Sequence, residues 1–368
     1  MIEAKAPGKL YIAGEYAVVE TGHPAIVVAI NQFVTVSVSA TTGYGSIVSK
    51  QYQENSIYWQ RVGDEIVFDD RDNPFHYILS AIRLTEKYAR EMGHPLALYD
   101  LKVDSDLDSE DGKKYGLGSS AAVTVATVKA LNEFYGLHMT ADQLYKLSAI
   151  AHLDVQGNGS LGDIAASVYG GWVAYRSFDK QWLAAARRQH TITELLNRDW
   201  PQLDIELLTA PANMELLIGW TGSPASTAHL VDRIADSQTT TNKETDYQNF
   251  LHQSDAILER IIAGFRAGDL EAIQQGIRDN QDALNYLTQF SGVEIETPAL
   301  LQLRKIAEQY GGAAKSSGAG GGDCGIALID RAADVKPLLA AWTAVGIEPL
   351  PLSVHESDPH QVAQHSVR

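Results

Sequence analysis

Between Pro24 and Ala40 the chain reads PAIVVAINQFVTVSVSA, rich in β-branched residues. Its second half alternates Val34, Val36 and Val38 with Thr35, Ser37 and Ser39. A period of two puts one set of side chains against the core and predicts a half-buried strand. From Phe75 to Met92 the spacing changes. Ile78, Ile82 and the segment Thr85 to Tyr88 fall on related faces of a helix that Gly93 ends. Leu96 to Val103 predicts another strand, followed by a solvated acidic loop from Asp104 to Asp111. A helix from Ser119 to about Tyr135 carries the apolar stripe Val125, Val128 and Leu131, with Gly136 as its stop. Leu144 to Leu153 predicts a further helix, and WVAYRSF after Gly170 and Gly171 predicts a strand.

Around Asn197 to Pro211 the pattern turns polar and proline-containing, which suggests a division into residues 1–205 and 206–368. Beyond it, Glu215 to Trp220 reads as a strand and Ser226 to Ile234 as a helix. Two long helices follow, over about Asp246 to Ala267 and Asp269 to Gln289. Pro298 suits the first turn of another helix, where a missing N–H does no harm. The tail from His355 is polar and is expected to fray. With 368 residues, 45% of them apolar, the chain can bury two cores.

A formal charge of −17 argues against broad binding to nucleic acid or to a membrane surface. An anionic ligand would have to be held by local cations and backbone N–H groups. The single cysteine, Cys324, rules out an intramolecular disulfide and any multi-cysteine metal cluster, and is expected to be a small packed residue. The 11 histidines are dispersed, with no HExxH motif and no EF-hand loop, so a required metal would arrive with its ligand. The opening MIEAKAPGKLYIAGEY has no apolar signal-peptide core, and no apolar run reaches about 18 residues. A soluble cytoplasmic protein is the expectation.

The chemistry concentrates in glycine-rich segments. YGLGSSAAVTVATVKAL (115–131) fits the spacing GxGxxA. A dinucleotide site, however, requires an apolar strand before the first glycine, and EDGKKY stands there instead. The phosphate loop GxxxxGK[ST] is also absent. An anion site remains consistent with the pattern, since free N–H groups and the positive end of a helix dipole would point at the turn. Ser119 and Ser120 would cap the helix, meet a phosphate-bound Mg²⁺, or both. Three further stretches have the same character: PGKLYIAGEY with Lys9, GNGSLGDIAA with Asp163, and GGAAKSSGAGGGDCGIAL. Taken singly, these are a solvated lysine, a helix cap and a hairpin connection. Four such segments in one chain point to a shared ligand site.

PGKLYIAGEY, GLGSSAA and KSSGAGGGDCG, in that order along the chain, resemble the three signature motifs of the GHMP kinases. GEY, GKKYGLGSS, GNGSLGDIAA and KSSGAGGGDCGIAL bring the resemblance nearest to the phosphomevalonate kinases of bacteria. The resemblance implies an α+β, two-domain architecture, with a ribosomal protein S5-like N-terminal domain and a ferredoxin-like C-terminal domain. ATP and acceptor would lie between them, and the γ-phosphoryl of Mg-ATP would pass to the phosphate of phosphomevalonate. Lys9 and Asp163 would be catalytic. Gly116, Leu117, Gly118, Ser119, Ser120, Ala121 and Ala122 would form the phosphate loop, with Ser120 at the Mg²⁺. Lys114, Ser160 and Thr227 match positions around the acceptor's phosphate end, and Ser317, Gly318, Ala319 and Gly320 would close the cleft over the substrate. The implied partners are ATP and a small phosphorylated substrate, with no nucleic acid and no membrane, in a monomer or a homodimer. Mevalonate kinase, diphosphomevalonate decarboxylase and a non-catalytic ATP-binding sensor are the competing readings.

Overall fold

The computed structural model describes residues 1–49, 56–63, 65–68, 75–107, 115–223 and 241–356. The expected helix at 226–234, acidic residues 108–111, and both Lys114 and Thr227 lie outside the described residues.

The first sheet takes β1 (Ile2–Ala13), β2 (Pro24–Ala40), β3 (Gly45–Ser49), β4 (Ile57–Val62), β5 (Glu65–Phe68), β6 (Tyr99–Ser105), β7 (Trp172–Arg176) and β8 (Asp204–Leu208). Its order is β5-β4-β3-β6-β2-β7-β8, with β1 paired along β2. The two halves of β2 do different work. Val34, Val36 and Val38 point into the core in the alternating half, which pairs with β6. Residues Pro24 to Ile30 are buried without interruption, and Pro24 to Val28 pair with β7.

Four helices pack with this sheet: α1 (His76–Glu91), α2 (Ser119–Tyr135), α3 (Ala141–Gln156) and α4 (Gly162–Tyr169). Short helices α5 (Lys180–Ala186) and α6 (Ile192–Leu196) follow. The stripe expected on α2 is too narrow. Ala121, Ala122, Thr124 to Val128, Ala130 and Leu131 are all buried, because α1, α3, α4, β1 and β2 surround the helix. Small residues let those neighbours approach, and a helix apolar all round belongs in a core. Its two buried threonines bond back to the preceding turn, Thr124 to the Ser120 carbonyl (2.8 Å) and Thr127 to that of Val123 (2.7 Å).

The second sheet is β9 (Met214–Trp220), β10 (Ala313–Ser316), β11 (Cys324–Asp330) and β12 (Glu348–Leu350), in the order β10-β11-β9-β12 and antiparallel throughout. Between β9 and β10 run α7 (Thr241–Ala267), α8 (Leu270–Ser291) and α9 (Pro298–Gln309), and α10 (Lys336–Ala344) connects β11 to β12. That interleaving is the ferredoxin-like arrangement. The chain passes from one sheet to the other between Leu208 and Met214, just beyond the 205/206 division read from the sequence.

Two expectations need correction. Asp104 and Ser105 are not loop residues but end β6, paired with Thr35 and Val34. The tail does not fray at His355, whose N–H donates to the Ala29 carbonyl (2.9 Å) and whose carbonyl accepts from Gly171 N–H (2.6 Å). On that edge of β2, pairing to β7 stops at Val28 and pairing to β6 starts at Val34. Ser353 to His355 fill the gap, so polar residues are held by backbone groups that need partners.

Candidate active site

A cavity of about 220 Å³ opens where the two sheets' loops meet. Its lining comes from the end of β1 and the turn after it (Lys9, Tyr11, Glu15, Tyr16), the turn into α2 (Gly116 to Ser120), the loop into α4 (Asn158 to Leu161, Asp163), and Gly318, Ala319 and Asp323 of the second domain. Three of the five non-glycine residues with positive φ among the described residues, Tyr16 (65°), Leu161 (67°) and Asp323 (53°), line this cavity. Backbone strain of this kind persists where the surroundings enforce it, and it clusters at functional sites.

The turn into α2 is tied to β1. A register shift between Pro7 and Gly8 aims the Lys9 N–H at the Leu117 carbonyl (2.8 Å). Only a residue without Cβ allows that approach, since a Cβ on Gly8 would lie 2.8 Å from the Leu117 carbonyl oxygen. Of the two roles open to Ser119 and Ser120, the helix cap is not made. Gly118 is the N-cap residue, in the left-handed region at φ 82°, with no side-chain cap bond. Among the described residues no side chain accepts from the first N–H groups of the helix, an arrangement able to receive an anion. A Cβ on Gly118 would lie 2.9 Å from Lys9 Cε, so that glycine also gives Lys9 its path. Lys9 Nζ donates to the Gly116 carbonyl (3.3 Å) and lies 5.4 Å from the Tyr11 ring centroid.

The opposite wall is a chain of hydroxyls. Tyr11 and Ser160 share a short hydrogen bond, Gly162 N–H donates to Ser160 Oγ (3.3 Å), and Tyr175 donates to the Ser160 carbonyl (2.6 Å). Asp163, in the first turn of α4, accepts from Ile164 N–H (3.0 Å) and forms no ion pair with Lys9. Burial first, and then the Asp163 charge, push the Tyr11 phenol well above its ordinary range. The same two causes raise Tyr77. Tyr11 is therefore a neutral hydrogen-bonding group.

From the second domain, fully buried Lys315 forms an ion pair with buried Glu15 and donates to the Ser316 carbonyl (2.6 Å). Ser317 Oγ donates to the Tyr11 carbonyl (2.8 Å), and the Tyr16 hydroxyl donates to the Ala319 carbonyl. These bonds staple the KSSGAGG loop to the end of β1.

Of the residues singled out from the sequence, Lys9, Gly116 to Ser120, Ser160, Asp163, Gly318 and Ala319 are brought to one cavity. Ala121 and Ala122 turn into the core, the Ser317 hydroxyl is engaged by Tyr11, and Gly320 packs on the Ile295 carbonyl. The sequence reading passed over Tyr11, Glu15, Tyr16, Asn158, Asp323 and His152. The first five stand inside the glycine-rich segments, whereas His152 reads as part of an ordinary helix. Cys324 donates to the Tyr115 carbonyl (3.2 Å), and burial pushes its thiol far up, so it is a packed residue and no nucleophile. Among the described residues no group of three or more His, Cys, Asp or Glu could hold a metal, and Ser120 and Asp163 are oxygen donors available to a cation brought by a ligand. No helix among the described residues is long and apolar enough to cross a membrane.

The same architecture and segments recur in known proteins. A family model for the GHMP kinases N terminal domain matches residues 76–171, and one for the GHMP kinases C terminal matches residues 261–348. The phosphomevalonate kinase of Streptomyces sp. strain CL190 is 38% identical over 360 residues, covering 95% of this chain and 96% of the relative. A Listeria innocua crystal structure superposes with a TM-score of 0.90 at 37% identity, covering 97% of this chain and 98% of that one. Streptococcus pneumoniae phosphomevalonate kinase, solved in complex with phosphomevalonate and AMPPNP, gives a TM-score of 0.82 at 33% identity, with 96% and 100% covered. Both halves match and the likeness runs nearly end to end, so the chain belongs to the GHMP kinases.

Proposed function

We propose that this protein is a phosphomevalonate kinase, transferring the γ-phosphoryl of ATP to the phosphate of phosphomevalonate to give diphosphomevalonate and ADP. The observation that carries the reading is the convergence of an uncapped helix N-terminus, Lys9 and Asp163 on one cavity between the two sheets. Its likeness, over nearly the whole chain, to the enzymes from Streptomyces and Streptococcus pneumoniae supports the choice of acceptor.

Phosphoryl transfer spreads negative charge over the equatorial oxygens, so catalysis consists mainly of positioning and electrostatic stabilisation. The N–H groups of α2 and the Ser119 and Ser120 hydroxyls receive the triphosphate, and the Lys9 ammonium meets the transferring group. Ser160, held by Tyr11 and Tyr175, stands on the acceptor side. Gly318 and Ala319 close the cleft from the second domain. With Glu15 already paired to Lys315, the described lining sets Lys9 against the carboxylates of Asp163 and Asp323. A polyanion entering such a site calls for a further cation, and hydroxyl and carboxylate oxygens fit Mg²⁺, which keeps waters and takes one or two carboxylates beside substrate phosphates. Ser120 and Asp163 would hold it, and when bound it would supply neutralising charge at the phosphates.

Asp163 has little proton to remove. The acceptor is a phosphate monoester whose second pKa is about 6, so it is largely dianionic at neutral pH. Asp163 acts instead by orienting the cationic groups around the phosphates. One assay tests both statements: ADP release with mevalonate, phosphomevalonate and diphosphomevalonate offered singly, with carbon dioxide monitored. Turnover is expected with phosphomevalonate alone, and Asp163→Asn is expected to lose turnover at every pH. Turnover confined to another acceptor, or release of carbon dioxide, refutes the assignment. Rescue of Asp163→Asn by raising pH makes Asp163 a base.

A further inference from the structure

We propose that His152 is a positioning residue that fixes the Ser120 hydroxyl at the mouth of α2. His152 lies on α3 at 1% exposure, and its Nε2 is 3.2 Å from Ser120 Oγ. Its ring stacks on Tyr77 with centroids 4.8 Å apart and planes at 29°, so it cannot swing away. The Tyr77 hydroxyl also approaches that of Ser120. Among the described residues His152 Nδ1, which is buried, has no partner.

That orphan nitrogen favours one tautomer. A buried N–H without an acceptor is rarer than an acceptor without a donor, so Nδ1 carries the lone pair and Nε2 the proton. Nε2–H then donates to Ser120 Oγ and takes one of its lone pairs. With the Tyr77 hydroxyl engaging a second position of the Ser120 hydroxyl, its third is left for the cavity.

The inference rests on the reading above only in placing a triphosphate at the α2 terminus. Its test is a double-mutant cycle read by titration calorimetry with Mg-AMPPNP, which needs no acceptor. His152→Leu and Ser120→Ala are each expected to weaken AMPPNP binding roughly two- to tenfold, the scale of one hydrogen bond. The double variant is expected to bind no more weakly than Ser120→Ala alone, because both changes remove one interaction. His152→Gln, whose amide nitrogen reaches the Nε2 position, is expected to recover most of the loss, and His152→Asn is not. Melting temperatures separate a folding defect from a site defect. Additive losses overturn the proposal, as does wild-type affinity in His152→Leu, or equal behaviour of the Gln and Asn variants. An enzyme that binds AMPPNP but does not turn over phosphomevalonate loses only the acceptor assignment. Failure of the wild type to bind AMPPNP overturns both.

Discussion

Lys9→Ala is expected to lower kcat by at least about a hundredfold, the usual scale for losing a donor aimed at developing charge. Lys9 is the cation that the described cavity lining contributes, and it shares that lining with the carboxylates of Asp163 and Asp323, Glu15 being paired to Lys315. Its backbone N–H is bonded to the Leu117 carbonyl, which the substitution leaves in place. Its ammonium is held by the Gly116 carbonyl and the face of Tyr11, both within the cavity wall. Removing the side chain should therefore spare the fold and strike the chemistry. Lys9→Arg keeps the charge but exchanges a compact ammonium for a planar fork, so partial activity at most is expected. Steady-state kinetics with saturating ATP checks both variants. An unchanged kcat in Lys9→Ala takes Lys9 out of the mechanism.

The second large effect falls on stability. Lys315 is fully buried, and burial lowers its pKa against the favourable charge of Glu15. The pair bridges the two domains, with one oxygen of Glu15 left without a partner. Removing one member of a buried pair strands the other charge and costs about 3–5 kcal/mol. Glu15→Gln and Lys315→Met are each expected to destabilise the protein on that scale. Replacing both together with apolar residues of similar volume is often neutral or stabilising, so Glu15→Leu combined with Lys315→Met should regain most of the loss. Denaturant unfolding midpoints measure all three. Additive losses in the double variant, or no loss in either single one, contradict the picture of a buried pair joining the domains.

Local pattern carried much of this structure. The alternation in β2 and the helix that Gly136 stops depend on neighbours in sequence, and both were legible there. So were the long helices of the second domain, although their ends shifted by a few residues. Illegible features depend on partners distant along the chain. The valine stripe could not reveal that five elements, α1, α3, α4, β1 and β2, surround α2. The serines after Gly118 carry the propensity of caps, but the left-handed glycine before them sets the cap residue and turns them toward the cavity. Polarity made the tail look frayed, yet an unpaired stretch of β2 recruits its backbone. At the site, glycine-rich segments announced themselves because close backbone approach needs them. His152 gave no signal, because its role exists only once α3 lies against the start of α2.

A triphosphate is expected to seat on the N-terminus of α2 beside Lys9. A crystal structure of this protein with AMPPNP tests it most directly. Phosphate oxygens are expected within about 2.7–3.2 Å of the first N–H groups of α2 and of Lys9 Nζ. A nucleotide seated elsewhere, with its phosphates away from both Lys9 and Ser120, would contradict it.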